Sequence, residues 1–214
     1  MSSADWALPV LLCTALFAGC ASAPPPQAAT ATTATATTAA ASPPALDAAT
    51  QQRLADAQGA LRQGRTADAE RAFTSLAQSS PELAGPHAAL GLLHRQAGRI
   101  PESVAEFEQA VRYAPRQPVY FNELGLSLRM QGQFAAARAA YDKAIALSPQ
   151  YGAAVLNLGI LNDLYLGDEQ RALELYEQYL ALVPGGDPMV AKWVADLKRR
   201  VPQTVATNHR RKVP

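Results

Sequence analysis

The amino-acid sequence predicts an all-α fold, a solenoid of about four helix-turn-helix units followed by a C-terminal capping helix. The pair Leu90-Gly91 returns as Leu124-Gly125 and Leu158-Gly159, each time after 34 residues. A period of this length indicates stacked units that share one continuous core. Alanine is abundant and aromatic residues make up only 7% of the chain, so small side chains must pack closely, as they do between helices.

Further residues return behind each Leu-Gly pair. A turn glycine, a small residue, an aromatic ring, an alanine and a proline follow in order: Gly98, Ser103, Phe107, Ala110 and Pro115, then Gly132, Ala137, Tyr141, Ala144 and Pro149. The glycine of the Leu-Gly pair lets the partner helix approach, and the turn glycine ends the first helix in a left-handed conformation. The prolines stop each second helix.

An earlier, degraded copy and a later, displaced copy flank these units. The earlier copy keeps Gly64, Ala69, Phe73 and Pro81, and the later one keeps Gly167, Ala172, Tyr176 and Pro184. In the later copy these residues are displaced by one position, which predicts an inserted residue near 163–166 and a longer or bulged first helix.

The 34-residue pattern resembles the tetratricopeptide repeat (TPR) family. The resemblance implies four repeats within residues 47–186, at about 50–83, 84–117, 118–151 and 152–186. It also implies a protein-binding scaffold without catalytic activity.

The segment after the repeats predicts a capping helix over residues 187–200. Asp187-Pro188 supplies a helix N-cap and a proline suited to the first turn. Val190, Trp193, Val194 and Leu197 form one apolar face that can cover the end of the solenoid. Residues 201–214 are predicted to form a basic, flexible tail, which is either a solvated end or a tether to acidic lipid, nucleic acid or a partner.

The N-terminal residues predict export. The run from Leu8 to Gly19 is apolar but shorter than the roughly 20 residues of a membrane span, so residues 1–19 predict a signal peptide. Leu16 to Cys20 resembles the lipobox of bacterial lipoproteins, although Phe17 stands where leucine is usual. The resemblance implies lipidation of Cys20 and an outer-membrane protein facing the periplasm. An uncleaved anchor or another cleavage site remains the alternative.

Residues 20–46 then predict a disordered tether. Positions 21–46 contain no charged residue and consist mainly of alanine, threonine and proline. Such a sequence has no amphipathic period and opposes helix formation.

Catalytic, metal and cofactor sites are not predicted. His87 and His94 share a helix face, but they occupy positions of packing aromatics and have no ligand set around them. The sequence contains no nucleophile elbow and no phosphate-binding loop. The formal net charge of +1 argues against a nucleic-acid partner, and no small-molecule substrate or cofactor is expected.

The TPR resemblance implies a protein partner in a concave groove lined by the first helices. The corresponding positions are Ala88, Leu92, Arg95, Asn122, Leu126, Arg129, Leu156, Asn157, Ile160 and Asp163. Leu92, Leu126 and Ile160 are equivalent positions and would form an apolar stripe, unless they only pack neighbouring helices. Our hypothesis is that the two asparagines bond the partner's backbone while Arg95 and Arg129 meet its acidic groups.

The complete architecture resembles TPR lipoproteins of the bacterial envelope. It is similar to the pilotin-like proteins of type IV pili and to the TPR lipoprotein of Tad pilus systems, which implies a secretin or pilus component as partner. Two alternatives stay open: a scaffold for peptidoglycan enzymes, and an uncleaved, membrane-anchored adaptor or signalling module.

Overall fold

The computed structural model describes residues 46–201, and within that range every regular element is helical. The helices are α1 (Ala48–Arg62), α2 (Thr66–Ser79), α3 (Ala84–Gln96), α4 (Ile100–Tyr113), α5 (Pro118–Met130), α6 (Phe134–Leu147), α7 (Gly152–Leu161), a π-helical segment (Asn162–Leu166), α8 (Glu169–Leu182) and α9 (Pro188–Arg200). The predicted all-α fold is therefore confirmed. The predicted signal peptide, Cys20, nearly all of the tether and the tail beyond residue 201 lie outside the described residues.

The helices pack in successive pairs. Within each pair, the first helix packs on the second: α1 on α2, α3 on α4, α5 on α6, and α7 on α8. Each second helix then packs on the first helix of the next pair, while α5 also contacts both α3 and α7. The first helices of repeats two to four therefore lie side by side, as the 34-residue period predicts.

Glycine allows the two helices of a repeat to approach closely. A Cβ atom added to Gly91 would lie 2.8 Å from the ring of Phe107, and one added to Gly125 would lie 2.7 Å from the ring of Tyr141. Gly159 and Tyr176 repeat this arrangement at 2.7 Å. The predicted role of the Leu-Gly glycines is thus confirmed, because a methyl group would occupy the space that the aromatic ring fills.

The last repeat carries the predicted insertion. At the first three turns a backbone N–H bonds a carbonyl five residues earlier, as between Gln133 and Leu128 at 2.9 Å. At the fourth turn the Asp168 N–H bonds the Asn162 carbonyl at 3.0 Å, six residues earlier. The extra residue is absorbed by the π-helical segment, so the expectation of a bulged first helix is confirmed.

Helix α9 caps the solenoid. The Asp187 carboxylate accepts hydrogen bonds from the backbone N–H groups of Met189 and Val190, at 2.9 and 3.2 Å. The helix packs on α8, where its buried side chains join Ala172 and Tyr176 in one apolar cluster: Val190, Val194 and Leu197. The last apolar face of the repeats is thereby covered, which the sequence predicted.

Candidate protein-binding face

The candidate site is the first-helix face, which we define as the outward side of α3, α5 and α7. Three equivalent aliphatic residues run across it. Leu92 is 38% exposed, while Leu126 and Ile160 are half-buried. The predicted apolar stripe is therefore accessible to solvent along its length, most of all at Leu92.

Arg95 does not extend freely from this face. Its guanidinium forms an ion pair with the carboxylate of Glu123 on the next first helix, and its side chain is only 15% exposed. Its Nη1 also donates to the Glu123 carbonyl and the Ser127 hydroxyl, both at 3.2 Å. The hypothesis that Arg95 meets a partner's acidic group needs correction, because these contacts already satisfy its charge.

The two asparagines predicted to bond a partner's backbone instead bond each other. The Asn157 side-chain amide donates to Asn122 Oδ1 at 2.9 Å, and the Asn122 amide donates to Glu123 Oε1 at 3.1 Å. Asn122 is only 3% exposed. The pair therefore joins α5 to α7, and Asn157 is the member that retains some surface.

Arg129 occupies the position equivalent to Arg95 one repeat later, but it has no carboxylate partner among residues 46–201. Its guanidinium lies over the ring of Tyr165, 5.6 Å from the ring centre, and its Nε is buried without a hydrogen-bond partner. This residue brings an uncompensated positive charge to the centre of the first-helix face.

The Tyr141 hydroxyl lies behind Arg129 and is also buried without a hydrogen-bond partner. Burial raises the pKa of Tyr141 to about 12, and the charge of Arg129 offsets part of that rise. The guanidinium is thus near enough to act on the phenol electrostatically, although the two groups lack hydrogen-bond geometry in this structure.

The C-terminal part of the face is bordered by the capping helix. Leu156 and Ile160 pack against the apolar cluster that contains Val190 and Val194, so part of their predicted groove surface is covered. Asp163 accepts a hydrogen bond from the Tyr176 hydroxyl at 3.2 Å. Burial, followed by the charge of Asp163, raises the pKa of Tyr176.

Other predicted residues lie away from the accessible face. Ala88 is buried in the central core cluster and offers a partner little surface. His87 stacks on Tyr113 and lies 2.7 Å from Glu106, while His94 accepts a hydrogen bond from Arg99 at 3.1 Å. The two histidines therefore have separate partners and separate packing roles.

The sequence reasoning missed several residues that shape the face: Glu123, Ser127, Tyr165, Trp193 and Arg200. The sequence signal for such contacts is the number of residues between two contacting positions. First-helix neighbours in the structure are 28 to 35 residues apart, as in Arg95 with Glu123 and Asn122 with Asn157. Pairing residues at about one repeat length would have found the two partners on α5.

Two absences hold for residues 46–201, the part of the chain that the structure describes. In that range no group of three or more His, Cys, Asp or Glu side chains could hold a metal ion. Within the same range, each helix is too short or too polar to cross a membrane.

The geometry is that of a paired-helix repeat protein, and comparison with known families identifies which one. A family model described as tetratricopeptide repeat matches residues 54–118, 88–152 and 122–187. Each match begins 34 residues after the one before, and together they span more than half of the chain. The chain belongs to the tetratricopeptide repeat family, whose members generally mediate protein–protein interactions.

Solved structures show the same fold. MamA from Desulfovibrio magneticus RS-1 has a TM-score of 0.65 and 18% identity, over 73% of this chain and 87% of MamA. PilF from Pseudomonas aeruginosa has a TM-score of 0.62 and 25% identity, over 71% of this chain and 68% of PilF. The O-GlcNAc transferase of Thermobaculum terrenum has a TM-score of 0.56 and 27% identity, over 64% of this chain and 27% of that enzyme.

Proposed function

We propose that this chain is a non-catalytic scaffold of the bacterial envelope that holds a partner segment on its first-helix face. The observation that carries the proposal is Arg129, a cation without a carboxylate partner in the described range, on the same face as the accessible aliphatic residues Leu92 and Leu126. A segment with an acidic residue next to apolar ones complements this surface.

The anchoring and location belong to the same proposal. The lipobox resemblance around Cys20 supports a lipid-anchored protein at the outer membrane, facing the periplasm. Palmitate labelling of cells that express the wild-type chain or Cys20→Ala tests this step. Label on both proteins would refute lipidation of Cys20, and an unlabelled wild type would favour the uncleaved anchor.

Assistance in assembling a pilus or secretion machine is the favoured role. The resemblance to envelope TPR lipoproteins and the structural similarity to PilF over 71% of this chain support it. A scaffold for peptidoglycan enzymes and a membrane-anchored adaptor remain the alternatives. Photo-cross-linking from position 92 in living cells separates them, because a secretin or pilus subunit, a peptidoglycan enzyme or a signalling protein would be captured.

A charge-reversal pair tests the face itself. Arg129→Glu places a negative charge where we expect a partner carboxylate, so cross-linking from position 92 should fall at least about tenfold. Lys143→Glu is the matched control, since Lys143 is exposed on α6 rather than on a first helix. Equal cross-linking by the two variants, with unchanged circular dichroism, would refute the proposal that the first-helix face binds the partner.

A further inference from the structure

A cavity lies where the first-helix face meets the capping helix. Its volume is about 280 Å³, and its walls come from α7, the π-helical segment, α8 and α9: Ile160, Asp163, Leu164, Tyr176 and Trp193. Only one of these residues carries a charge. Ile160 also belongs to the first-helix face, but the partner contacts proposed above, at Arg129, Leu92 and Leu126, do not involve the other walls of the cavity.

The walls combine three kinds of chemistry. Ile160 and Leu164 are aliphatic, and the rings of Tyr176 and Trp193 meet at a centroid distance of 5.4 Å. The carboxylate of Asp163 is 15% exposed, and one of its oxygens accepts the Tyr176 hydroxyl. Aliphatic and aromatic surface around one carboxylate suits a cation on an apolar stem, which is the chemistry of lysine and arginine side chains.

Among the described residues, Arg200 forms an ion pair with Asp163, but at the long end of ion-pair distance. Its Nη2 lies 3.9 Å from Asp163 Oδ1, whereas its Nη1 lies 2.5 Å from Glu169 Oε1 and its Nε lies 2.9 Å from Asp196 Oδ2. Arg199 also pairs with Asp196, at 2.9 Å. Three carboxylates thus share two guanidinium groups, and Asp163 Oδ1 keeps the capacity to accept a strong hydrogen bond.

We propose that this cavity receives a lysine or arginine side chain of the partner segment. The stem lies along Ile160 and Leu164, and the cationic end passes the Trp193 ring to reach Asp163 Oδ1. This inference rests on the proposed function, because it specifies the chemistry of the same partner.

The position of Arg129 adds a spacing rule. Arg129 and Asp163 are equivalent residues on neighbouring first helices, whose axes are about 10 Å apart in packed helices. An extended peptide advances about 3.3 Å per residue. The partner segment therefore carries an acidic and a basic residue about three positions apart.

Selection from a random 12-residue phage-displayed peptide library, with the whole purified chain as target, tests the inference. We expect the selected peptides to carry Arg or Lys at one recurrent position, with an acidic residue about three positions away. Asp163→Asn keeps the shape and can still accept the Tyr176 hydroxyl, but it should weaken these peptides about ten- to a hundredfold. Asp142→Asn, on the exposed side of α6, should leave them unchanged.

The outcomes separate this inference from the proposed function. Peptides that need Arg129 but show no basic preference, or that bind Asp163→Asn as tightly as wild type, would overturn the cavity assignment alone. Peptides that bind only after truncation at Val201 would show that the chain's own basic tail fills the cavity, which also overturns it. A selection that yields no peptide dependent on Arg129 or Leu92 would refute both proposals.

Discussion

Gly125→Ala gives the sharpest test of how the repeats are held together. The new Cβ would lie 2.7 Å from two ring carbons of Tyr141 and 3.0 Å from a third. Carbon atoms in favourable contact are about 3.5 to 4.0 Å apart, so the ring must retreat by about 1 Å. Tyr141 is fully buried, and α6 must move with it.

The expected change in the free energy of unfolding is the sum of two opposing contributions. Overpacking a core costs about 1–3 kcal/mol, and contact with three ring atoms places this site near the upper end. Replacing glycine by alanine within a helix returns up to about 1 kcal/mol. We therefore expect a net loss of about 2 kcal/mol in the free energy of unfolding, or about 4–8 °C in Tm for a domain of this size.

Urea unfolding followed by far-ultraviolet circular dichroism measures this loss. Gly59→Ala is the matched control, because its added Cβ would have no neighbour nearer than 3.9 Å and should raise stability by about 1 kcal/mol. The cost of Gly125→Ala should shrink when Tyr141→Leu is already present, since the smaller side chain makes room. Equal or higher stability of the single variant than of wild type would refute the reasoning.

Three further predictions follow from the polar contacts. Tyr141→Phe should raise stability at neutral pH by about 1 kcal/mol, because it removes a buried hydroxyl without a partner in this structure. The raised pKa of Tyr141 stabilises the folded state below pH 10, and about 2–3 kcal/mol is lost as pH rises to about 12. Because the pKa of Tyr176 is raised as well, Tyr141→Phe should reduce the total loss between pH 9 and 11.5, measured by urea titration, by about 2 kcal/mol without removing it entirely. Arg95→Met should lower the free energy of unfolding in urea by about 2 kcal/mol, because it leaves Glu123 unpaired. Adding Glu123→Gln should recover part of this loss. If the losses of the two variants are additive instead, the two side chains are not coupled. Asn157→Glu places a carboxylate next to Arg129, at the position where Glu123 pairs with Arg95 one repeat earlier. The affinity for acidic peptides, measured by calorimetry, should then fall about tenfold, while Asn157→Gln should have little effect.

The fold could be predicted from the sequence because its determinants are local and repeated. Gly125 and Tyr141 occupy fixed offsets within one 34-residue unit, and each pair makes the same contact in the structure. The insertion near 163–166 was also visible, since it displaces every later residue of the repeat by one. The sequence did not show that the insertion would form a π-helical segment, because this form depends on how one extra residue is accommodated between two packed helices.

The face was harder to predict because its chemistry depends on pairs of repeats. Pattern matching assigned Arg95 and Arg129 the same role, and the motif carries no information about what stands on the neighbouring helix. Glu123 and Ser127 engage Arg95, although neither belongs to the repeat pattern. The cavity was likewise outside the pattern, because Trp193 reaches it from the capping helix.

The same position of the repeat carries a different net charge in each of three successive repeats. Arg95, Arg129 and Asp163 are separated by 34 residues each and face the aromatic rings of their own repeats: Phe107, Tyr141 and Tyr176. The first is neutralised by Glu123, the second has Asn157 where that carboxylate would stand, and the third is enclosed by the capping helix. The three backbone positions are equivalent, but the net charge at them changes from neutral to positive to negative along the solenoid. This change is set by the residues one repeat further on and by α9. We expect a surface of this kind to discriminate partners by the order of their charges, which a groove of uniform charge would not do.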